Sequence, residues 1–297
     1  MPDIFEVGDT QALLNRYAGK FILYVEGPGD RNAYRQIVGS EFLIDYDFVL
    51  PPDNKTGANS VRKRVTEERL TNRRVFGFLD GEAAAALGIA EALVRSDGIV
   101  FRPKDQAMDG LVFVAAHEIE NLILCYSDVA PTIAQHKPMH RLADGEADRI
   151  REQLRLLNGR FLAAAMFKYT SLHLQHKGQC VHVANTRIFS DDSANLKAIL
   201  REMKIVVTRH CQLNWRDFAN ELYSITRALR RHIVATGETS DEKWNRHLRL
   251  ADGKALLKKV RGQAGPDVEG HLLAGLAKSE FAEKFRAAII TELAEAA

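Results

Sequence analysis

The sequence predicts an α/β protein: a mainly parallel sheet flanked by helices, followed by a helical C-terminal domain or insertion. Three observations carry this expectation. Short runs of β-branched and aromatic residues at 21–25, 75–79 and 112–115 each end abruptly, with acidic residues close behind, as buried strands do where they leave a core. Stretches of helical period lie between them, and such alternation calls for crossover connections and parallel strands. Beyond about residue 130 the alternation stops, and apolar residues recur only at helical spacing.

The elements follow in order. Asp9-Thr10 reads as the cap of a short helix over residues 11–17. Strand 21–25 is closed by Glu26, and Gly27-Pro28-Gly29 turns the chain into a helix capped by Asp30, with Ala33, Tyr34, Ile37 and Val38 on its apolar face. Residues 42–50, ending at Pro51-Pro52, read as the second strand; residues 53–59 form a polar loop, and Ser60 caps a basic helix reaching about Arg69. Strand 75–79 leads to an alanine-rich helix over 83–94; strands at 99–103 and 112–115 and a helix over 119–125 complete the alternating part. Helices are expected over 145–167, 193–203, 215–236, 251–260 and 281–296. The expected division is an α/β domain over 1–130 and a mainly helical, basic domain over 131–297 packed on it.

A carboxylate at the C-terminal end of a strand in an α/β sheet lies at the crevice where ligands bind. If the three acidic strand ends are neighbours, Glu26, Asp30, Asp80, Glu82, Glu118 and Glu120 converge on one pocket. That many carboxylates repel one another unless they are protonated or a cation neutralises them, and hard oxygen-seeking cations, Mg²⁺ or Mn²⁺, suit them best. The plainer reading makes Asp30 an N-cap, Asp80 and Glu82 part of a turn, and Glu118 and Glu120 first-turn residues favoured by the helix dipole. His117 reads first as a packing or hydrogen-bonding residue and second as a ligand.

The segments VEGPGD (25–30), FLDGE (78–82) and HEIEN (117–121) resemble the TOPRIM fold of nucleases, topoisomerases and primases. The likeness is strongest to the OLD-like branch of nucleases and its stand-alone relatives, among them the effector nucleases of the PARIS anti-phage system. It covers roughly residues 18–125, with a possible extension near residue 250. It implies metal binding by Glu26 with Asp30, by Asp80 with Glu82, and by Glu120 or Glu118. It implies cleavage of transfer RNA, with DNA the second choice, after release from a separate ABC-type ATPase subunit, and an active homodimer. A glycine-lysine pair near the C-terminus of such relatives makes Lys254 the candidate transition-state cation, and it reads equally as a helix-start lysine after a turn. Glu82 departs from the usual Asp-x-Asp of the second motif by one methylene.

Composition sets limits around this reading. With 297 residues, 46% hydrophobic and 27% charged, the chain has the make-up of a globular protein with a substantial core. No apolar run approaches the roughly 20 residues of a membrane span, and the first residues lack a signal peptide's pattern; the expectation is a cytoplasmic protein that avoids membranes. Cys125, Cys180 and Cys211 form no Cys-x-x-Cys pair and read as free thiols. Residues 1–130 hold 14 Lys and Arg against 20 Asp and Glu, whereas residues 131–297 hold 27 against 19. An acidic half beside a basic half suits a phosphodiester substrate, and a solvated helical surface produces the same excess. Basic candidates for phosphate contact are Arg62, Lys63, Arg64, Arg73 and Arg74 near the second motif, and Arg227, Arg230 and Arg231 on the 215–236 helix.

There is no Gly-x-Ser-x-Gly elbow, no His-Glu-x-x-His motif and no phosphate loop. What the resemblance implies is then the expected function: a Mg²⁺- or Mn²⁺-dependent endonuclease of anti-phage defence, with Glu26, Asp80 and Lys254 as its catalytic residues. The competing expectation is a non-catalytic interaction or regulatory subunit of an ATPase complex, using its acidic surface to dock on a basic partner.

Overall fold

A computed structural model describes residues 14–15, 18–52, 56–136, 146–180, 189, 195–264 and 267–296. Apart from Leu14 and Asn15, which are helical, the helix expected over 11–17 lies outside the described residues, as do Asp9-Thr10, residues 53–55 of the polar loop and Ser193.

Five strands form one sheet: β1 (Phe21–Tyr24), β2 (Tyr46–Val49), β3 (Val75–Leu79), β4 (Val100–Phe101) and β5 (Leu111–Val114). Their order is β2-β1-β3-β5-β4. The first four pair in parallel, and β4 is a two-residue antiparallel edge. The chain is thus α/β with a mostly parallel sheet flanked by helices. Strand β3 is buried along its whole length, which explains its uninterrupted apolar run. Gly77 in β3 faces Val61 and Leu111 so closely that a Cβ would sit 2.7–2.8 Å from them; the missing side chain lets the covering helix approach.

Thirteen described helices follow the strands: α1 (Pro28–Asp45), α2 (Ala58–Arg69), α3 (Gly81–Ala86), α4 (Ala90–Val94), α5 (Ile119–Tyr126), α6 (Val129–His136), α7 (Glu146–His176), α8 (Leu196–His210), α9 (Trp215–Thr236), α10 (Ser240–Leu250), α11 (Gly253–Ala264), α12 (Val268–Ala277) and α13 (Glu280–Ala294). Two apolar clusters cover the sheet. In one, Leu23, Phe48 and Phe78 of the strands meet Tyr34 of α1, Ile123 of α5 and Phe285 of α13. In the other, Tyr24, Leu79 and Phe113 meet Val61 and Val65 of α2, Tyr169 of α7 and Leu229 of α9. Helices from beyond residue 130 therefore lie on both sheet faces.

Several boundaries differ from expectation. Residues 42–45 continue α1 rather than opening β2, because the chain kinks at Gly39 (φ 75°) and resumes the helix with Phe42 turned into the core. Helix α1 starts at Pro28 with Gly27 as N-cap, so Asp30 occupies its first turn instead of capping it. Gly57, and not Ser60, precedes α2. The alanine-rich stretch divides into α3 and α4, with Gly88 at φ 84° in the break, a conformation glycine adopts without strain. The strand expected over 99–103 shrinks to β4. Helices α6, α10 and α12 were absent from the expectation, whereas α9 has the expected bounds.

Candidate metal centre

The centre lies where β1 and β3, adjacent and parallel, both end. Glu26 follows β1 by one residue beyond Val25, and Asp80 follows β3 directly. An open cleft of about 360 Å³ there is lined by Glu26, Asp30, Asp80, Glu82, Lys254 and residues 56–59 at the start of α2. Four of the six predicted carboxylates thus share one cleft wall. Glu118 and Glu120, at the start of α5, are set behind it. Glu118 is 2% exposed, the N-cap of α5 and half of a capping box with Asn121. Glu120 sits in the first turn with Oε2 buried and unbonded.

Local geometry explains how each carboxylate is held. The Glu26 carboxylate accepts the backbone N–H of Asp80, which ties the two strand ends together. The Asp30 carboxylate reaches back to the N–H of Gly27, so it supports the start of α1 from the third helical position. Tyr34, one turn later, donates its hydroxyl to Asp80 Oδ1 at 2.5 Å. His117 Nδ1 lies 2.8 Å from the Tyr169 hydroxyl, the hydrogen-bonding role expected first for it, while its Nε2 is buried without a partner. Lys254 is in the first turn of α11, whose start is packed tightly on α5: a Cβ on Gly253 would collide with the Asn121 side chain. Asn121 in turn donates to the carbonyls of Leu248 (2.7 Å) and Ala251 (2.9 Å).

The electrostatics divide the cleft in two. Glu26 is pushed up to about 7 by burial first and then by repulsion from Asp30 and Glu82. Asp30 is raised by burial, against the pull of Lys254. Asp80 is raised far above the usual carboxylate range by burial, Asp30 and Glu26, despite the Tyr34 bond. On the other side, Lys168 of α7 donates to Glu82 Oε2 at 2.6 Å and stands 3.8 Å from Glu118. Lys254 Nζ lies 3.0 Å from Glu118 Oε1, and its backbone N–H donates to Glu118 Oε2 at 3.1 Å. Burial pushes Glu118 up, yet His117, Lys168 and Lys254 outweigh it and hold the carboxyl at about 2. Burial also drives His117 down to about 3, so at neutral pH the imidazole is uncharged and the two lysines are the positive charges beside Glu118. Glu82 and Glu120 remain raised, in both cases through burial first.

These donors fit a hard divalent ion. Glu26, Asp30 and Asp80 present carboxylate oxygens only, and among the described residues no Lys or Arg forms an ion pair with them; the cleft's ammonium groups pair with Glu82 and Glu118. An oxygen-only set under mutual repulsion is the environment that a Mg²⁺ or Mn²⁺ ion relieves. Glu82, His117 and Glu118 form a second group whose ligand atoms lie within 4.8 Å of one another, but Lys168 already occupies it.

Lys168 was not among the predicted residues. Its one signal in the sequence is a lone charge inside an otherwise apolar helix face, between buried Phe167 and Tyr169. The basic candidates separate in space. Arg73 and Arg74 precede β3, so they lie at the opposite end of that strand from Asp80, about 20 Å or more away along an extended strand. Proximity in sequence to the second motif misplaced them. There Arg73 pairs with Asp109 (3.4 Å), and Arg74 donates to the Gly19 carbonyl. On α2, Arg64 pairs with Glu68 and Lys63 with Glu67. Arg227, Arg230 and Arg231 are exposed on α9. Among known proteins, neither a family model nor a curated relative matches this chain.

Proposed function

We propose that this protein is a divalent-metal-dependent phosphodiester hydrolase that cuts nucleic acid. The observation that carries the reading is the set Glu26, Asp30 and Asp80: carboxylates at two adjacent strand ends and in the first turn of α1, crowded and free of ion pairs among the described residues, in an open cleft. The likeness of VEGPGD, FLDGE and HEIEN to TOPRIM nucleases points the same way. It alone supports transfer RNA ahead of DNA as substrate, an activating ABC-type ATPase, a homodimer and a role in anti-phage defence.

A divalent ion in this position would activate water and neutralise charge on the phosphoryl oxygens. Glu26, Asp30 and Asp80 would hold it, with Tyr34 fixing the orientation of Asp80 through its hydroxyl. Before any ion enters, burial and the neighbouring carboxylates hold the Glu26 carboxyl near 7, so ion binding there would displace a proton. The start of α2 also lines the cleft, and a helix N-terminus favours a phosphate. Lys254, whose side chain is 64% exposed, extends its ammonium toward the same space to offset transition-state charge.

The experiment is cleavage of transfer RNA, and of plasmid DNA in parallel, with Mg²⁺, Mn²⁺ or EDTA. Wild-type protein should cut in the presence of either ion and not in EDTA, and Asp80→Asn and Glu26→Gln should be inactive while still folded. Cleavage that persists in EDTA, or equal cleavage by both variants, would remove the carboxylate set from the chemistry. Absence of cleavage on every substrate, with metal bound, would favour the interaction-subunit reading.

A further inference from the structure

We propose that Lys168 and Lys254 stand in the place of a second cation, so that the centre takes a single divalent ion, at Glu26, Asp30 and Asp80. This rests on the metal-dependent reading above and specifies its ion count. Two-ion phosphodiesterases hold their ions about 4 Å apart with carboxylates around both. Here the second candidate group already holds an ammonium. Glu82, His117 and Glu118 bring their ligand atoms within 4.8 Å of one another, and His117 Nε2 is buried without a hydrogen bond, 3.8 Å from Glu82 Oε2 and 3.9 Å from Glu118 Oε1.

That ammonium belongs to Lys168, 2.6 Å from Glu82 Oε2 and 3.8 Å from Glu118 Oε1. An ion bridging those oxygens would need them at about 2.0–2.6 Å, which is the space that the ammonium fills. Lys254 meets Glu118 Oε1 from the other side at 3.0 Å. Two carboxylates and two ammoniums balance in this half, whereas among the described residues no Lys or Arg forms an ion pair with Glu26, Asp30 or Asp80. Lys168 projects from α7 between Phe167 and Tyr169, both buried in the core, so the helix that supplies it is fixed by packing.

The test counts ions on the full-length protein with Mn²⁺ alone, by equilibrium dialysis with electron paramagnetic resonance and by titration calorimetry. Wild-type protein should bind one Mn²⁺ per chain, and Asp80→Asn should weaken it at least tenfold. Lys168→Met, which keeps the stem and removes the charge, should admit a second ion at least tenfold tighter than any second binding to wild type. Lys168→Arg should stay at one. If Lys168→Met does not fold, Lys168→Gln replaces it. Two ions on wild type, or a folded neutral variant that still binds one, overturns the inference and leaves the metal-dependent reading standing. No ion on wild type or on the neutral variant overturns both.

Discussion

Glu26 and Glu118 are the same residue type in one cluster, yet the fold drives their carboxyls in opposite directions, to about 7 and about 2. Both are largely buried. Glu26 shares its surroundings with Asp30, Asp80 and Glu82, and Glu118 with Lys168 and Lys254. Burial penalises either charge, and the neighbours decide the sign. One half of the cleft therefore gathers carboxylates without an ion pair among the described residues, while in the other the protein's own ammonium groups pair with them.

The largest expected effect of breaking that contrast is on catalysis. Glu26→Gln and Asp80→Asn should each reduce cleavage by on the order of 10³-fold or more, measured by single-turnover assays on labelled transfer RNA. Retention of more than a tenth of wild-type activity in either would mean that the uncompensated half is not where the reaction occurs.

Stability against pH sharpens the comparison because the two halves should respond with opposite sign. Glu26 has a raised folded-state pKa, so its contribution is favourable at low pH and is lost as pH rises from about 4.5 to about 7. The loss is at most about 3 kcal/mol. Glu118 has a lowered one, so its contribution is present above about 4.5 and is lost as pH falls toward about 2. In EDTA at neutral pH, Glu26→Gln should therefore raise the melting temperature and Glu118→Gln should lower it. Shifts of the same sign in urea or thermal melts would contradict the division.

Removing one ammonium should be felt less. Lys168→Met leaves Glu82 without its ion pair, and without metal it should cost on the order of 2 kcal/mol. That is less than the ~3–5 kcal/mol of a fully buried broken pair, since Glu82 keeps some contact with water. Millimolar Mn²⁺ should recover most of the loss, since a ligand bound only by the folded state stabilises it; melts with and without Mn²⁺ decide this.

The smallest effect concerns the distant basic surface. Arg227, Arg230 and Arg231 are exposed on α9, and replacing each with Ala should flatten the salt dependence of nucleic-acid binding by roughly one unit of log–log slope or less. The cleavage position should not move, because phosphate contacts carry little sequence information. Filter binding across a salt series checks it, and unchanged slopes would exclude α9 from the binding face.

Much of the frame was legible in the chain. The apolar runs of β1, β3 and β5 and their acidic ends are local patterns, and α9 shows its whole length in its periodicity. Residues 42–45 were misread because a kinked helix and a strand present the same short apolar cluster, and only the burial of Phe42 after Gly39 separates them. Helix α10 escaped because its face is mostly charged, and Arg246 and Arg249 are buried there by pairing with Ser96, Asp97, Gly98 and Glu238.

The sequence by itself determined β1, β3 and β5 and that carboxylates follow them, since hydrophobic period and turn residues act over a few positions. Tertiary structure alone decided which of those carboxylates stays uncompensated. Lys168 reaches Glu82 across 86 residues and Lys254 reaches Glu118 across 136. A charge's pKa depends on distance through the folded protein, which no local pattern encodes.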